Sequence, residues 1–121
     1  MTNTAKALYR FFSGFGLPAY VEYCPPEGAA LPYITYQLVE PDWRDSATMY
    51  ARVWYRDTSL TAINAVVDQI GTAIGEGVGL PTDGGAVYLN RGKPFAQHMP
   101  VEDDDALKAV YLNIIVNAMT T

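Results

Sequence analysis

The stretch Leu107-Lys108-Ala109-Val110-Tyr111-Leu112-Asn113-Ile114-Ile115-Val116-Asn117-Ala118-Met119 reads as one long β-strand with two usable faces. Val110, Leu112, Ile114, Val116 and Ala118 form an unbroken apolar row at the period of two that a pleated strand imposes. That row belongs in a core. The alternate row, Tyr111, Asn113, Ile115, Asn117 and Met119, mixes aromatic, amide and aliphatic groups. An earlier run from Ala47 to Tyr55 alternates in the same way and sets Tyr50, Arg52 and Trp54 side by side on one face. Together the two mixed rows have the composition of a protein interface, although a helix or loop of the same chain could equally cover them.

Working outward from these strands, Tyr33 to Val39 also alternates, with Ile34, Tyr36 and Leu38 on one side and Tyr33, Thr35, Gln37 and Val39 on the other. The link Glu40-Pro41-Asp42-Trp43-Arg44-Asp45-Ser46 is too short for a helical crossover, so an antiparallel hairpin with Trp43 near its tip is expected. Near the N-terminus Leu8, Phe11, Phe12 and Phe15 fall on one side of a helix, with Asn3 or Thr4 available as cap and Gly14, Gly16 and Pro18 as terminators. A short strand from Ala19 to Tyr23 follows, and the prolines of Cys24-Pro25-Pro26-Glu27-Gly28 then break the chain into a loop.

A second helix is read from Leu60, Ile63, Val67, Ile70 and Ile74, which recur at steps of three and four. Asp57, Thr58 or Ser59 can cap it, Gly75, Gly77 and Gly79 stop it, and Leu80 to Gly85 reads as a loop. Ala86 to Asn90 and Phe95 to Met99 are then expected to pair as a hairpin across Asn90-Arg91-Gly92-Lys93-Pro94. These elements predict a single α+β domain over residues 1–121, with a small, mostly antiparallel sheet and two main helices.

The chain has 121 residues, half of them hydrophobic (50%) and 17% charged, with 13 acidic against 8 basic side chains and a net charge of −5. The acid excess disfavours a free-standing duplex binder, because affinity for nucleic acid rests on Lys and Arg neutralising phosphates. No apolar run approaches the roughly 20 residues that span a bilayer. Cys24 is the only cysteine and His98 the only histidine, so neither an intrachain disulfide nor a zinc set can be assembled. A lone cysteine and the lack of a leader pattern favour a reducing, intracellular setting.

Catalytic candidates are few. A Cys24/His98 nucleophile pair is a logical possibility, but nothing around Cys24 would activate a thiolate. Gly71, Gly75, Gly77 and Gly79 lie at the C-terminal end of a helix, where the macrodipole repels phosphate, so helix termination is the better reading. Glu102-Asp103-Asp104-Asp105 lacks the spacing of a calcium loop. No cofactor, metal or catalytic residue is expected. The acidic cluster and basic Arg91 and Lys93 lie at opposite ends of one expected short strand, where two neighbouring copies could join them head to tail.

The order of elements and several local sequences carry a resemblance over nearly the whole chain. Leu31-Pro32-Tyr33-Ile34-Thr35-Tyr36, the amphipathic helix, Asn90-Arg91-Gly92-Lys93-Pro94-Phe95, the acidic loop and Tyr111-Leu112-Asn113-Ile114 together resemble the tail-terminator, or tail-completion, proteins of long-tailed bacteriophages. The resemblance implies a non-catalytic virion protein, assembled in the host cytoplasm, whose hexameric ring caps the tail tube and meets the head-side neck. It also implies an axial channel through which DNA passes without specific binding.

Size allows this: a compact chain of this length has a radius of gyration of roughly 14 Å, and six such spheres in a ring leave a hole wide enough for a duplex. Trp43 and Arg44 at the hairpin tip, Arg52 and Trp54 on the mixed face, and Arg91 and Lys93 against Glu102, Asp103, Asp104 and Asp105 are the candidate contacts. Two other readings are a head-completion or stopper protein of the neck and a small intracellular enzyme or ligand-binding domain.

Overall fold

A computed structural model describes residues 2–22, 27–100 and 106–119. In chain order the elements are α1 (Asn3–Phe12), a 3-10 turn (Ser13–Phe15), β1 (Ala19–Val21), β2 (Tyr33–Tyr36), β3 (Ser46–Arg56), α2 (Thr61–Ile74), β4 (Val78–Thr82), β5 (Gly85–Pro100) and β6 (Leu107–Met119). The strands form one six-stranded sheet in the order β1-β2-β3-β6-β5-β4. Only β1 and β2 run parallel; every other pairing is antiparallel, so the sheet is mixed. The architecture is α+β in the broad sense.

The core follows from the alternation. Val110, Leu112, Ile114, Val116 and Ala118 of β6 are fully buried, together with Met49, Ala51 and Val53 of β3 and Ile34 and Tyr36 of β2. Against this face pack Leu8 and Phe12 of α1 and Ile63, Val66, Val67, Ile70 and Ile74 of α2. Phe12 stacks on Tyr36 with ring centroids 4.8 Å apart, the offset geometry that aromatic quadrupoles favour. Helix α1 touches both β4 and β1, the two edge strands, so the sheet curls around it, while α2 lies under β3, β6 and β5. Both helices therefore occupy one face.

The helix ends differ in detail from expectation. Thr2, one residue before the expected cap, accepts a hydrogen bond from the Ala5 amide at 3.1 Å, satisfying one orphan donor of the first turn. Phe11 and Phe15 are half-buried and edge-on to each other, with centroids 5.2 Å apart. Leu60 stands before the first turn of α2 rather than on its apolar stripe and is 44% exposed; Ser59 Oγ accepts from the Thr61 amide at 3.1 Å. In β2 the alternation stops at Tyr36, leaving Leu38 exposed and Val39 packed against the core. At β1 the described strand ends at Val21, and Tyr23 and Cys24 lie outside the described residues.

Two expectations are overturned between α2 and β6. The segment expected as a loop from Leu80 to Gly85 instead contributes most of β4, and Val78 to Thr82 pairs with Leu89 to Gly85. The expected hairpin of Ala86–Asn90 with Phe95–Met99 does not form, because both halves belong to one 16-residue strand, β5. Ala86 to Arg91 pairs with Met119 to Ile114, and Ala96 to Pro100 pairs with Leu112 to Lys108.

Between those halves Gly92 to Phe95 stand opposite Asn113, a bulge in the ladder. The turn chemistry read in Asn90–Pro94 thus marks a bulge. A side chain at Gly92 would approach Asn113 Cβ to 2.8 Å and its carbonyl oxygen to 3.0 Å, so this crossing needs glycine. Asn113 in turn donates from Nδ2 to the Pro94 carbonyl at 2.7 Å, compensating where proline supplies no ladder donor.

Candidate interaction surfaces

Register decides which side chains share the face opposite the helices. Residues paired across strands point the same way, so Tyr20, Tyr33, Thr35, Arg52, Trp54, Tyr111 and Asn113 stand together on it. Among the described residues neither helix packs on this face, and its side chains Tyr33, Arg52, Trp54, Tyr111 and Asn113 are half-buried. Its centre is organised by polar contacts. Arg52 Nη1 meets Glu22 Oε1 at 2.7 Å, and the guanidinium lies 4.4 Å from the centre of the Tyr111 ring, within cation–π range.

Alongside that pair, Trp54 Nε1 donates to Thr35 Oγ1 at 3.0 Å, which explains how a threonine on an uncovered face is only 5% exposed. Tyr20 and Tyr33 meet edge to face, with centroids 5.7 Å apart. Arg52 and Trp54, nominated as partner contacts, are thus engaged within the chain, and what remains outward is Tyr50 and Tyr88, 43% and 44% exposed. Glu22 carried no signal in the sequence. It reaches Arg52 because β1 pairs in parallel with β2, and the Glu22 amide continues that ladder by donating to the Tyr36 carbonyl at 2.8 Å.

The hairpin tip is a fixed projection. Arg44 adopts a left-handed conformation (φ 65°), rare for a bulky residue. Its amide donates to the Ala118 carbonyl at 2.8 Å, and the Ala118 amide donates back to the Asp45 carbonyl at 3.3 Å. These bonds extend the β3–β6 ladder past Ser46 and leave Trp43 51% exposed, with the Arg44 guanidinium 5.9 Å from its ring centre.

Arg91 and Lys93 are not where the expected hairpin put them. They sit in the interior of β5 at the bulge, and Arg91 shares the helix side of the sheet with its partner Ile114. Both are exposed. Arg91, Phe95 and Ala96 form one wall of an open groove of about 750 Å³ whose other wall is Val67, Asp68, Gly71 and Thr72 of α2. A smaller hollow of about 310 Å³ continues it past Gly75 and Glu76 to Lys93.

Phe95 seats against Gly71, where an added Cβ would lie 3.2 Å from the ring. The sequence signal for this groove was the buried mid-helix glycine, since a glycine inside a helical pattern often marks close approach of another element. Glu102, Asp103, Asp104 and Asp105 lie outside the described residues.

His98 is exposed and lines a shallow hollow with Leu60, Met99, Lys108 and Ala109. Among the described residues no group of three or more His, Cys, Asp or Glu side chains comes together as a metal set. Likewise, among these residues no helix is long and apolar enough to cross a membrane. Among the described residues one titratable group is clearly perturbed: burial pushes the Tyr36 hydroxyl above its ordinary 10.0, with the neighbouring Tyr9 adding to the effect.

The fold defines an α+β class in which a curled mixed sheet holds two helices on one face. It is similar to a chain in the virion of a native gene transfer agent particle, with a TM-score of 0.59, 14% identity, and 95% of this chain and 90% of that chain covered. No protein-family model matches the sequence, and no curated protein does.

Proposed function

We propose that this chain is a structural component of a phage-like virion, and within that class a tail terminator: a ring subunit that caps the tail tube and joins it to the head-side neck. The carrying observation is the likeness to a gene transfer agent virion chain, which spans nearly the full length of both chains. The order of sequence motifs that resembles tail terminators supports the finer role. In this reading the protein performs no bond chemistry and binds no cofactor. It acts by contact, in a ring that stops tube growth and lets DNA through, with the acidic balance of −5 keeping phosphate unattached.

The tip formed by Trp43 and Arg44 is the contact we assign to the tube, because an exposed tryptophan beside a backbone held at Arg44 and Asp45 by hydrogen bonds to Ala118 can be buried on a partner at little conformational cost. Adding the protein to polymerising tail-tube protein of the same particle tests the reading. Tubes should stop at the length reached on addition, and Trp43→Ala should weaken capping at least tenfold while leaving the melting temperature within about 2 °C. Tubes that keep growing at saturating protein overturn the terminator role. Capture of portal or adaptor rings instead of tube ends would assign it to the neck as a stopper.

A further inference from the structure

The turn between β2 and β3 keeps an arginine where glycine would sit without strain. Asp42 to Asp45 close a tight turn, the Asp45 amide donating to the Asp42 carbonyl at 2.8 Å, and Arg44, its third residue, has φ 65°. Glycine reaches that region freely, whereas a Cβ there crowds the following carbonyl. The turn itself asks nothing of the side chain. Backbone hydrogen bonds to Ala118 hold it from Arg44 and Asp45, and any residue that tolerates this φ would make them.

No acid inside the chain accounts for the arginine either. Asp42 and Asp45 flank it in the turn and Glu40 lies four residues before it, yet Arg44 makes no ion pair among the described residues. Its guanidinium stands 5.9 Å from the centre of the Trp43 ring, and both side chains are exposed. A strained residue whose side chain is unpaired within the fold points to a contact outside it.

We infer that Trp43 and Arg44 form one recognition unit for a protein surface: an apolar pocket that takes the indole, with uncharged carbonyl oxygens at its lip that accept from the guanidinium. The inference rests on the terminator reading above and specifies what the tube end must offer. Tryptophan and arginine are among the side chains that dominate binding energy at protein interfaces. Charge selects the class of partner. Residues 40–45 carry three exposed carboxylates, Glu40, Asp42 and Asp45, against one guanidinium, so a nucleic-acid backbone or an anionic bilayer is repelled. The same excess repels a carboxylate brought up to Arg44. Carbonyl oxygens accept its N–H groups without that penalty.

Capping of tail tubes of the same particle, read as tube length against added protein at 100 mM and 500 mM salt, tests this together with the melting temperature of each variant. Arg44→Gly should melt at the wild-type temperature or a few degrees above it, because the turn loses its strain, and should cap at least tenfold more weakly. Arg44→Lys keeps the charge but loses the planar fork, and should weaken capping about fivefold at both salt concentrations. Wild-type capping should change less than about threefold between them, since salt has no receptor charge to screen.

If the wild type caps tubes and Arg44→Gly caps them equally well, the recognition unit fails while the terminator reading stands. Arg44→Gly melting more than about 5 °C below the wild type would make Arg44 a structural residue of the turn and overturn the inference. Capping lost at 500 mM salt would mean a charged receptor and overturn it too. Retention of single-stranded DNA by the wild type and its loss in Trp43→Ala would make the tip a base-stacking platform, again overturning it. Tubes that keep growing at saturating wild type sink both readings.

Discussion

The two faces of the sheet are built from the same strands and follow opposite rules. On the helix side, Val53, Val110, Leu112 and Ile114 are fully buried among aliphatic neighbours, and their worth comes from apolar area removed from water. On the open side no helix among the described residues packs on the sheet, and Arg52, Glu22, Tyr111, Trp54 and Thr35 shield one another through a salt bridge, a cation–π contact and a hydrogen bond. The first face holds the fold together. The second organises itself so that its outward remainder, Tyr50 and Tyr88, is aromatic and available. One strand can serve both because its side chains alternate.

This contrast can be broken at adjacent registers of β6. Leu112→Ala on the buried face should cost about 3 kcal/mol, a fall of about 10 °C in melting temperature. Ile115→Ala, half-buried on the open face, should cost about 1 kcal/mol or less. Equal losses in urea denaturation would mean that the open face is packed as a core.

A smaller effect is expected from the polar cluster. Arg52 and Glu22 retain 29% and 14% of their side-chain exposure, so a double-mutant cycle with Arg52→Ala and Glu22→Ala should return a coupling of about 1 kcal/mol. That lies above a typical exposed pair and below a fully buried one. No coupling would show that the two residues merely lie near each other.

The smallest effect is on the helix side and depends on pH. The folded Tyr36 hydroxyl ionises above the ordinary 10.0, so the unfolded chain releases this proton first as pH rises. Stability from this group is complete below pH 10 and declines above it. Tyr36→Phe should flatten the decline of stability above pH 10, measured by denaturant titration at each pH. Parallel profiles for the two proteins would place the hydroxyl in a more open site than the buried face implies.

Legibility in the sequence followed the range of the interactions. The bounds and faces of β6, the apolar stripe of α2 from Ile63 to Ile74 and the antiparallel pairing of β2 with β3 were readable, because each depends on neighbours a few residues away. Leu60 and Leu38 misled because they continue a period beyond the point where the element ends. Two of the nominated interface regions fared differently: the Trp43 tip is exposed as its turn residues implied, whereas Arg52 already has a partner brought by a parallel strand pair.

By itself the sequence determined the buried row of β6, the amphipathic helices and the excess of acid over base, since side-chain periodicity and charge are local properties. The tertiary structure decided that Leu80 to Thr82 is a strand, that the glycine and proline of Arg91-Gly92-Lys93-Pro94 bulge a continuous β5, and that Arg91 faces α2 across a groove. The reason is that Gly and Pro specify only where regular backbone is interrupted. Whether the interruption becomes a turn or a bulge depends on the strand alongside, and here β6 pairs with both halves of β5 and holds them in one line.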